Sequence, residues 1–460
     1  MPCFKASDAA AWCGGTWICQ DPPDAQGVSI DTRTLQPGQL YVALQGTRFD
    51  GHAYVARALA QGAAGAVVSI EFAMSHAGLV RLLGVRDTRQ ALMNLARGYR
   101  QSLNTRMVAV TGSVGKTTVK EMIADVMGIR KPTARSRGNW NNDIGLPLSL
   151  LALEPHYAYA VFELGMNHPG ELAPLCRLLQ PSYGVVTTIG PVHIEFFSSV
   201  MAIAEEKSEV LKHLPPEGCA VLSRDDAWCD LLRKAAPCRV LTTSLTSEAD
   251  YRAQVDSDAA GPFTVFESSS GEHHELRLPL PGRHLVQDAL YAVALGRLYG
   301  CSWPEIAEAL AHFTPLPMRW NRATVNGVEC INDAYNANPV SMRAAIKTFA
   351  ALPSSGGKWL VLGGMRELGT TEREEHLALG RDLAAFSWKG LVTIGAMGQW
   401  IADGAESRGV SRHQIYRCAE NKEAARLLRD RAVAGDQVLL KASRGEHLED
   451  VVGAWSGGTT

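Results

Sequence analysis

The chain has 460 residues, which is more than one ordinary hydrophobic core accommodates, so we expect two to four domains. Its 45 basic and 47 acidic side chains give a formal net charge of −2, which disfavours proteins that bind nucleic acid or an anionic membrane through a basic surface. The N-terminus has no basic segment followed by an apolar one, and no stretch reaches about 18 uninterrupted apolar residues. Ten cysteines occur without a Cys-x-x-Cys pair, which favours free thiols over a zinc cluster. We therefore expect a cytoplasmic protein without a membrane span.

The first hundred residues predict a small separate α/β domain, 1–103. An apolar run at 40–44 is followed by a polar stretch at 45–52 and by an alanine-rich segment at 53–65. The loops of this domain carry polar side chains that either converge on a polar ligand or form a solvated local salt bridge. These residues are Asp31, Thr32, Arg33, Arg48, Asp50 and His52.

A glycine-rich turn carries the clearest chemical signal. The apolar run 107–110 predicts a buried strand, and 119–126 has helical character. Between them lies Thr111-Gly112-Ser113-Val114-Gly115-Lys116-Thr117-Thr118. Glycine lets backbone N–H groups approach an anion, Lys116 adds a positive charge, and the Thr117 hydroxyl is a ligand for Mg²⁺. The segment predicts a phosphate-binding P-loop, although two residues rather than the common four separate its glycines; an ordinary strand-to-helix turn is the alternative.

The central region, 104–315, alternates strand and helix patterns as a doubly wound, mostly parallel sheet requires. Candidate strands lie at 157–164, 183–189, 219–223 and 239–243. Ligands bind at the carboxyl ends of such strands, so polar residues there are informative.

Three polar residues follow the candidate strands of this region. Glu163 closes an apolar run, where an unpaired carboxylate would be costly and a magnesium ion would pair it. His193 and Lys207 are unremarkable singly, since a lone histidine usually makes structural hydrogen bonds and a lone helical lysine is usually solvated. Together with Lys116 and Thr117, they suggest a phosphoryl-transfer site with two cations. The nearby segment 138–147, which holds Asn141 and Asn142, is either a turn or a loop that orients a phosphate or carboxylate.

The last third predicts helices at 286–299 and 303–312 and a hinge at 314–320. A Rossmann-like α/β domain, 316–460, follows. Its candidate strands lie at 328–332, 359–363, 391–395 and 438–440, and loops at 333–339, 363–369 and 441–444 follow three of them. This domain has no phosphate-binding fingerprint of its own, so we expect it to close over a shared ligand.

Several of these motifs, in this order, resemble the ATP-dependent Mur ligases of bacterial peptidoglycan synthesis. The resemblance rests on 111–118 with Glu163, His193 and Lys207, and on the segments 141–147, 163–171 and 333–339, and it spans roughly 27–451. It is strongest with the branch that adds a dipeptide, since the Asp-Asn-Pro-Arg pattern of the diaminopimelate-adding relatives is absent.

The resemblance implies an ATP-dependent amide ligase of peptidoglycan precursor synthesis. Its substrates would be UDP-N-acetylmuramoyl-tripeptide and D-alanyl-D-alanine, and an acyl phosphate would be the intermediate. It further implies a monomer with ATP, two Mg²⁺ sites and a carbamate on Lys207. Which diamino acid stands third in the acceptor peptide is left open.

The resemblance also implies roles for individual residues. Lys116, His193 and Lys207 would be catalytic. Metal ligands would be Thr117, Glu163, His193 and Lys207. ATP would contact Gly112, Ser113, Val114, Gly115, Lys116, Thr117, Thr118, Asp288, Arg319, Asp333 and Asn336. The substrates would contact Thr32, Arg33, Asp50, His52, Asn141, Asn142, Lys441, Ser443 and Arg444, the first four through the UDP group.

The chain departs from the family pattern at four positions. Leu285 and Asp288 stand where asparagines are usual, the second of them near the adenine, and Asp288 offers no amide donor. Met318 replaces a usual glycine and Gly364 a usual aspartate. We expect an active enzyme, since the phosphate and metal positions are retained.

Two other functions fit part of the pattern. One is an amide ligase of the folate or cyanophycin type, which would not bind UDP. The other is a regulatory P-loop NTPase, which would hydrolyse ATP without an amine acceptor.

Overall fold

The computed structural model describes residues 2–47, 49–76, 78–255 and 261–457. Up to residue 101 the elements are β1 (Cys3–Phe4), α1 (Ala6–Cys13), β2 (Thr16–Ile18), β3 (Ala25–Gln26), β4 (Val28–Ser29), β5 (Leu40–Val42), α2 (Val55–Ala60), β6 (Gly65–Ser69), α3 (Ile70–Ser75), β7 (Leu82–Val85) and α4 (Thr88–Gln101). A five-stranded sheet has the order β2-β7-β6-β5-β4 and is parallel except for the β2–β7 pair. Strands β1 and β3 form a separate antiparallel pair.

The central region is built on a nine-stranded sheet. Its elements are β8 (Arg106–Thr111), α5 (Lys116–Gly128), β9 (Thr133–Arg135), α6 (Gly145–Leu151), β10 (Tyr159–Glu163), α7 (Leu172–Leu179), β11 (Tyr183–Val186), α8 (Val200–Lys207), α9 (Glu209–Lys212), β12 (Cys219–Ser223), α10 (Cys229–Ala235), β13 (Arg239–Ser244), β14 (Tyr251–Gln254), β15 (Pro262–Glu267), β16 (Glu272–Arg277), α11 (Arg283–Leu298) and α12 (Trp303–Ala311). The strand order is β16-β15-β14-β13-β12-β11-β8-β10-β9.

Strand β8 lies inside this sheet, between β11 and β10, and pairs in parallel with both. Its residues from Met107 to Val110 are fully buried, as a strand covered on both faces requires. The three strands end together, so the segments that follow them meet at one edge.

The last third forms a six-stranded sheet in the order β17-β18-β22-β19-β20-β21. Only the β17–β18 pair is antiparallel among these strands. The elements are β17 (Asn321–Val325), β18 (Val328–Asn332), α13 (Pro339–Ala351), β19 (Lys358–Leu362), α14 (Glu372–Leu383), β20 (Gly390–Ile394), α15 (Gly395–Ser407), β21 (Ile415–Cys418), α16 (Asn421–Arg431), β22 (Gln437–Lys441) and α17 (Glu449–Trp455).

The predicted fold class is confirmed: three α/β units contain mostly parallel sheets. The strands predicted at 219–223 and 328–332 have these bounds in the structure. The antiparallel strands β14 to β16 were not predicted, because their alternating pattern is that of a sheet with one exposed face rather than of a doubly wound core. The domain limits 1–103, 104–315 and 316–460 stay a prediction. Within the described ranges, no helix combines the length and the apolar character needed to cross a membrane.

Candidate active site

The turn between β8 and α5 is held rigidly against the segment after β11. Ser113 donates from its backbone N to Thr188 O at 2.6 Å, and its Oγ exchanges hydrogen bonds with the backbone of Gly190 at 2.9 and 3.1 Å. Gly112 has φ 148°, and a Cβ there would lie 1.9 Å from Thr187 Oγ1. Only glycine fits this position, so the phosphate loop is shaped by contacts on its far side as well as by its own sequence.

The hydroxyl of Thr117 and the carboxylate of Glu163 form the polar centre of the site. Both side chains are buried, and Thr117 Oγ1 donates to Glu163 Oε2 at 2.7 Å. Asn141 Nδ2 donates to Glu163 Oε1 at 2.7 Å, and Arg319 Nη2 donates to Thr117 Oγ1 at 2.8 Å. This buried carboxylate is thus stabilised by hydrogen bonds at both oxygens.

Two predicted catalytic lysines lie close enough to Glu163 to respond to its charge. Burial lowers the pKa of Lys116, and the attraction of Glu163 opposes this effect. Its Nζ donates to Gly112 O at 2.9 Å. Burial lowers the pKa of Lys207 well below its ordinary value, and repulsion from Lys116 adds to this effect. Lys207 is 2% exposed and does not line the cleft described below. Burial thus disfavours the charged form of Lys207 relative to an exposed lysine.

His193 joins the central and C-terminal units. It has φ 55°, an uncommon left-handed conformation for this residue, and its Nδ1 lies 2.5 Å from Glu367 Oε2. The hydrogen bond from His193 lowers the pKa of the Glu367 carboxyl. A backbone hydrogen bond joins the same two segments: Glu195 N donates to Glu367 O at 3.3 Å. With Nδ1 engaged, Nε2 is the ring nitrogen left for a ligand.

The C-terminal unit contributes an ion pair between the buried Lys441 and the partly buried Asp333. Lys441 Nζ donates to Asp333 Oδ2 at 2.6 Å and to Asn336 O at 3.1 Å. The Arg319 guanidinium lies 4.2 Å from the centre of the Tyr335 ring, a cation–π arrangement. Arg319 thus contacts Tyr335 of the C-terminal unit through its ring and Thr117 of the central unit through a hydrogen bond, and so lies between the two units.

Asp288 lies against the phosphate loop. A Cβ on Gly115, which has φ 84°, would lie 2.6 Å from Asp288 Oδ1. Burial raises the pKa of Asp288 well above its ordinary value, although the charge of Arg319 opposes the shift.

One cleft of about 1000 Å³ connects most of these side chains. All three units line it, through Arg89 of the N-terminal unit, the phosphate loop of the central unit and Asp333 of the C-terminal unit. The predicted residues found in its lining are Ser113, Val114, Gly115, Lys116, Thr117, Thr118, Asn141, Asn142, Glu163, His193, Asp288, Arg319, Asp333, Asn336 and Lys441.

Other predicted residues lie outside this lining. Gly112 and Lys207 are not among its lining residues. Ser443 is buried and donates to Ala337 O at 3.3 Å, and Arg444 pairs with Glu449. Asn142, although in the lining, uses its Oδ1 to accept from Gly145 N at 2.8 Å at the start of α6.

Three of the four residues predicted to bind UDP, Arg33, Asp50 and His52, make local contacts. Arg33 pairs with Asp31 at 2.6 Å, and this hydrogen-bonded pairing lowers the pKa of Asp31 to about 2. His52 Nδ1 lies 2.6 Å from Asp50 Oδ1, and its Nε2 accepts from Ser69 N at 2.9 Å. Thr32 is buried, and Arg48 lies outside the described residues. Their role in binding UDP stays a prediction.

Several cleft residues could not be singled out from the sequence, among them Arg89 and Tyr335, and neither could Glu367, which contacts His193. Asp87 before an amphipathic stretch is a helix-start signal that would have placed Arg89 in a first turn. Glu367 gave no such signal, because its partner is 174 residues away.

The fold and the cleft define a multi-unit α/β protein with a P-loop at a site shared between its units. Three family models match it: the Mur ligase family catalytic domain at 24–100, the Mur ligase middle domain at 110–296, and the Mur ligase glutamate ligase domain at 318–444. The chain belongs to the Mur ligase family.

Named relatives and solved structures are similar to this protein over nearly the whole chain. The UDP-N-acetylmuramoyl-tripeptide--D-alanyl-D-alanine ligase of Bacillus subtilis (strain 168) is 37% identical over 429 residues, which cover 93% of this chain and 92% of the relative. A crystal structure of MurF from Acinetobacter baumannii is 30% identical with a TM-score of 0.89, covering 99% of both chains. MurF ligase from Thermotoga maritima, solved in complex with ADP, is 27% identical with a TM-score of 0.81, covering 94% of this chain and 97% of that one.

Proposed function

We propose that this chain joins D-alanyl-D-alanine to UDP-N-acetylmuramoyl-tripeptide at the expense of ATP. The observation that carries the proposal is the 37% identity, over 93% of the chain, to a relative named for this reaction. The Thr117–Glu163 pair beside Lys116 agrees with it, since amide formation from a carboxylate needs a site that handles ATP phosphates.

The chemistry explains why ATP is consumed. A carboxylate is a poor electrophile, so one of its oxygens first attacks the γ-phosphorus of ATP, which forms an acyl phosphate and releases ADP. The dipeptide amine then attacks the carbonyl carbon, loses a proton and expels phosphate. The new C–N bond replaces the C–O bond of the acyl phosphate, and both oxygens of the original carboxylate are accounted for, one in the amide and one in phosphate.

Lys116 would stabilise the charge that gathers on the transferred phosphoryl group. The oxygens of Thr117 and Glu163 are the hard donors that Mg²⁺ prefers, and the guanidinium of Arg319 already lies at Thr117 as a cation. We assign Thr117 and Glu163 to one Mg²⁺, which when bound would neutralise phosphate charge. Among the described residues no group of three or more His, Cys, Asp or Glu side chains is placed to hold a metal, so the nucleotide and water would supply the other ligands.

The second cation site would use His193 through Nε2 and a carbamate on Lys207. The lowered pKa of Lys207 supports this modification, because only a neutral amine attacks CO₂. In that step the neutral amine forms the Nζ–C bond and loses one proton, which gives an anionic carbamate; this anion would supply an oxygen ligand to the second cation.

The proposal also covers UDP binding, the oligomeric state and the place of reaction. Thr32, Arg33, Asp50 and His52 would bind UDP, the last three after exchanging part of their local contacts for the ligand. One chain supplies all three sides of the cleft, which supports a monomer. ATP and a UDP-linked substrate favour the cytoplasm as the place of reaction.

The experiment is incubation with ATP, Mg²⁺, the UDP-linked tripeptide and D-alanyl-D-alanine, followed by mass spectrometry. We expect the UDP-linked pentapeptide, formed only when all components are present. ATP hydrolysis that is independent of the peptides, or ligation of glutamate to a substrate without UDP, would contradict the proposal.

A further inference from the structure

A fully buried lysine lies one helical turn after the lysine of the phosphate loop. Lys120 is 0% exposed and follows Lys116 by four residues on α5. Its Nζ donates to Ser136 O at 2.7 Å and to Gly138 O at 3.0 Å, and it lies 2.9 Å from Glu121 Oε1. These three acceptors match the three protons of an ammonium group. Lys120 does not line the cleft, so its contacts act within the protein rather than on a ligand.

The two carbonyl groups belong to an irregular loop between β9 and α6. Gly138 has φ 52° and no side chain that could anchor this loop, so the hydrogen bond from Lys120 to its carbonyl fixes the backbone there. A buried ion pair such as Lys120–Glu121 contributes little net stability, because desolvation of the charges offsets their attraction. The contacts of Lys120 therefore matter chiefly for the position of the loop.

This loop contacts Glu163 near both of its ends. Near its start, Ser136 Oγ accepts from Glu163 N at 3.2 Å, and Ser136 is buried. Near its end, Asn141 Nδ2 donates to Glu163 Oε1 at 2.7 Å. The other carboxylate oxygen, Oε2, accepts from Thr117 at 2.7 Å. Asn141 thus fixes one oxygen of Glu163 while the other faces the phosphate loop, and Lys120 holds the backbone that leads to Asn141.

We propose that Lys120 is a positioning residue: it holds the loop at 136–141 so that Asn141 orients the carboxylate of Glu163 for Mg²⁺. This inference rests on the proposed function, which assigns Glu163 to one Mg²⁺. Without the ammonium group, the carbonyls of Ser136 and Gly138 lose their donor and the loop gains freedom. Glu163 then loses the fixed orientation that a tight metal site needs.

The test measures binding of a non-hydrolysable ATP analogue by isothermal titration calorimetry at a series of Mg²⁺ concentrations. Lys120→Met has a side chain of similar length that donates no hydrogen bond. We expect this variant to need about tenfold more Mg²⁺ for half-maximal binding, as is typical for loss of a group that orients a metal ligand. Its affinity for the analogue in EDTA should equal that of the wild type. An equal loss of affinity with and without Mg²⁺, or an unchanged Mg²⁺ dependence in the folded variant, would overturn the inference.

Lys358→Met is the matched control. Lys358 Nζ donates to Ala350 O at 2.6 Å and to Leu352 O at 2.5 Å, so this lysine also holds two backbone carbonyl groups. It lies in the C-terminal unit and does not line the cleft. We expect a lower free energy of unfolding in urea for this variant, together with the Mg²⁺ dependence of the wild type. A shift in Mg²⁺ dependence equal to that of Lys120→Met would assign the effect to lost stability and overturn the inference.

A double-mutant cycle tests the route through Asn141. We expect Asn141→Ala to raise the Mg²⁺ requirement. The double variant with Lys120→Met should agree with Asn141→Ala within about twofold, because both changes remove the same orientation of Glu163. A requirement equal to the product of the two single effects would overturn the inference. If Lys120→Met does not fold, Lys120→Gln replaces it in every comparison, since glutamine stays polar and removes the charge.

The outcomes separate this inference from the proposed function, because the binding measurement uses neither peptide. Failure of the wild type to form the UDP-linked pentapeptide would overturn the proposed function alone. Ligation by the wild type, with normal Mg²⁺ dependence in a folded Lys120 variant, would overturn the inference alone.

Discussion

Arg319 donates a hydrogen bond from Nη2 to Thr117 Oγ1 over 2.8 Å, although 202 residues separate the two positions in the chain. Thr117 belongs to the first turn of α5, and Arg319 lies between the central and C-terminal sheets. The contact places the C-terminal unit against the phosphate loop. A ligand in the cleft is therefore enclosed by side chains of both units.

Replacing Lys116 by Ala should abolish most of the ligase activity. The side chain brings a positive charge to the predicted phosphate loop, and loss of such a group costs roughly 10³-fold in kcat. Phosphate release measured with all substrates checks this, and circular dichroism should show an intact fold. Lys131→Ala, which changes an exposed lysine after α5, is the control and should keep normal turnover. Normal turnover in Lys116→Ala would remove this lysine from the mechanism.

Lys207 should respond to carbon dioxide. If its neutral amine carries a carbamate, activity lost in degassed buffer should return when bicarbonate is added. Lys207→Ala should be inactive and regain part of its activity with a short carboxylic acid, which restores the missing anion. Insensitivity to bicarbonate in the wild type, together with no rescue of the variant, would leave Lys207 as an ordinary buried amine.

Glu367 should act as a positioning residue for His193. Glu367→Ala removes the acceptor that lies 2.5 Å from His193 Nδ1, so the ring loses its fixed orientation. Loss of such a partner typically costs about 10- to 100-fold in metal affinity or activity. We expect a lower kcat and a higher Mg²⁺ concentration for half-maximal rate.

Glu374→Ala is the control for this variant, because Glu374 lies in the same unit and pairs only with Arg381 among the described residues. The same Mg²⁺ dependence in Glu367→Ala and Glu374→Ala would contradict a role through His193.

Gly112→Ala should destabilise the protein and inactivate it. The added Cβ would lie 1.9 Å from Thr187 Oγ1, and φ 148° is itself strained for alanine. Overpacking and strain of this kind cost about 3 kcal/mol in the free energy of unfolding, which urea denaturation measures. Gly128→Ala, at the end of α5, meets open space and should be neutral or slightly stabilising. Equal stability of the two variants would show that the loop rearranges freely.

The sequence was informative where the chemistry is local. The turn from Gly112 to Thr117 could be predicted because its glycines, lysine and threonine are adjacent and lie between a strand and a helix. Glu163 could be predicted because it ends an apolar strand. The pairs Arg89–Asp143 and His193–Glu367 could not, because each depends on how two separate units pack. The pairing of His52 with Asp50 belongs to the local salt bridges that the sequence allowed as an alternative, whereas the contact of His52 with Ser69 could not be predicted, since it arises only when β6 lies beside the polar loop.

The most direct test of the account follows the oxygen atoms of the acceptor carboxylate. The tripeptide is prepared with ¹⁸O in both oxygens of its reacting carboxylate and incubated with ATP, Mg²⁺ and D-alanyl-D-alanine. We expect each released phosphate to contain one ¹⁸O and the new amide to keep the other. Phosphate without ¹⁸O, released at the normal rate, would contradict an acyl phosphate and with it the proposed mechanism.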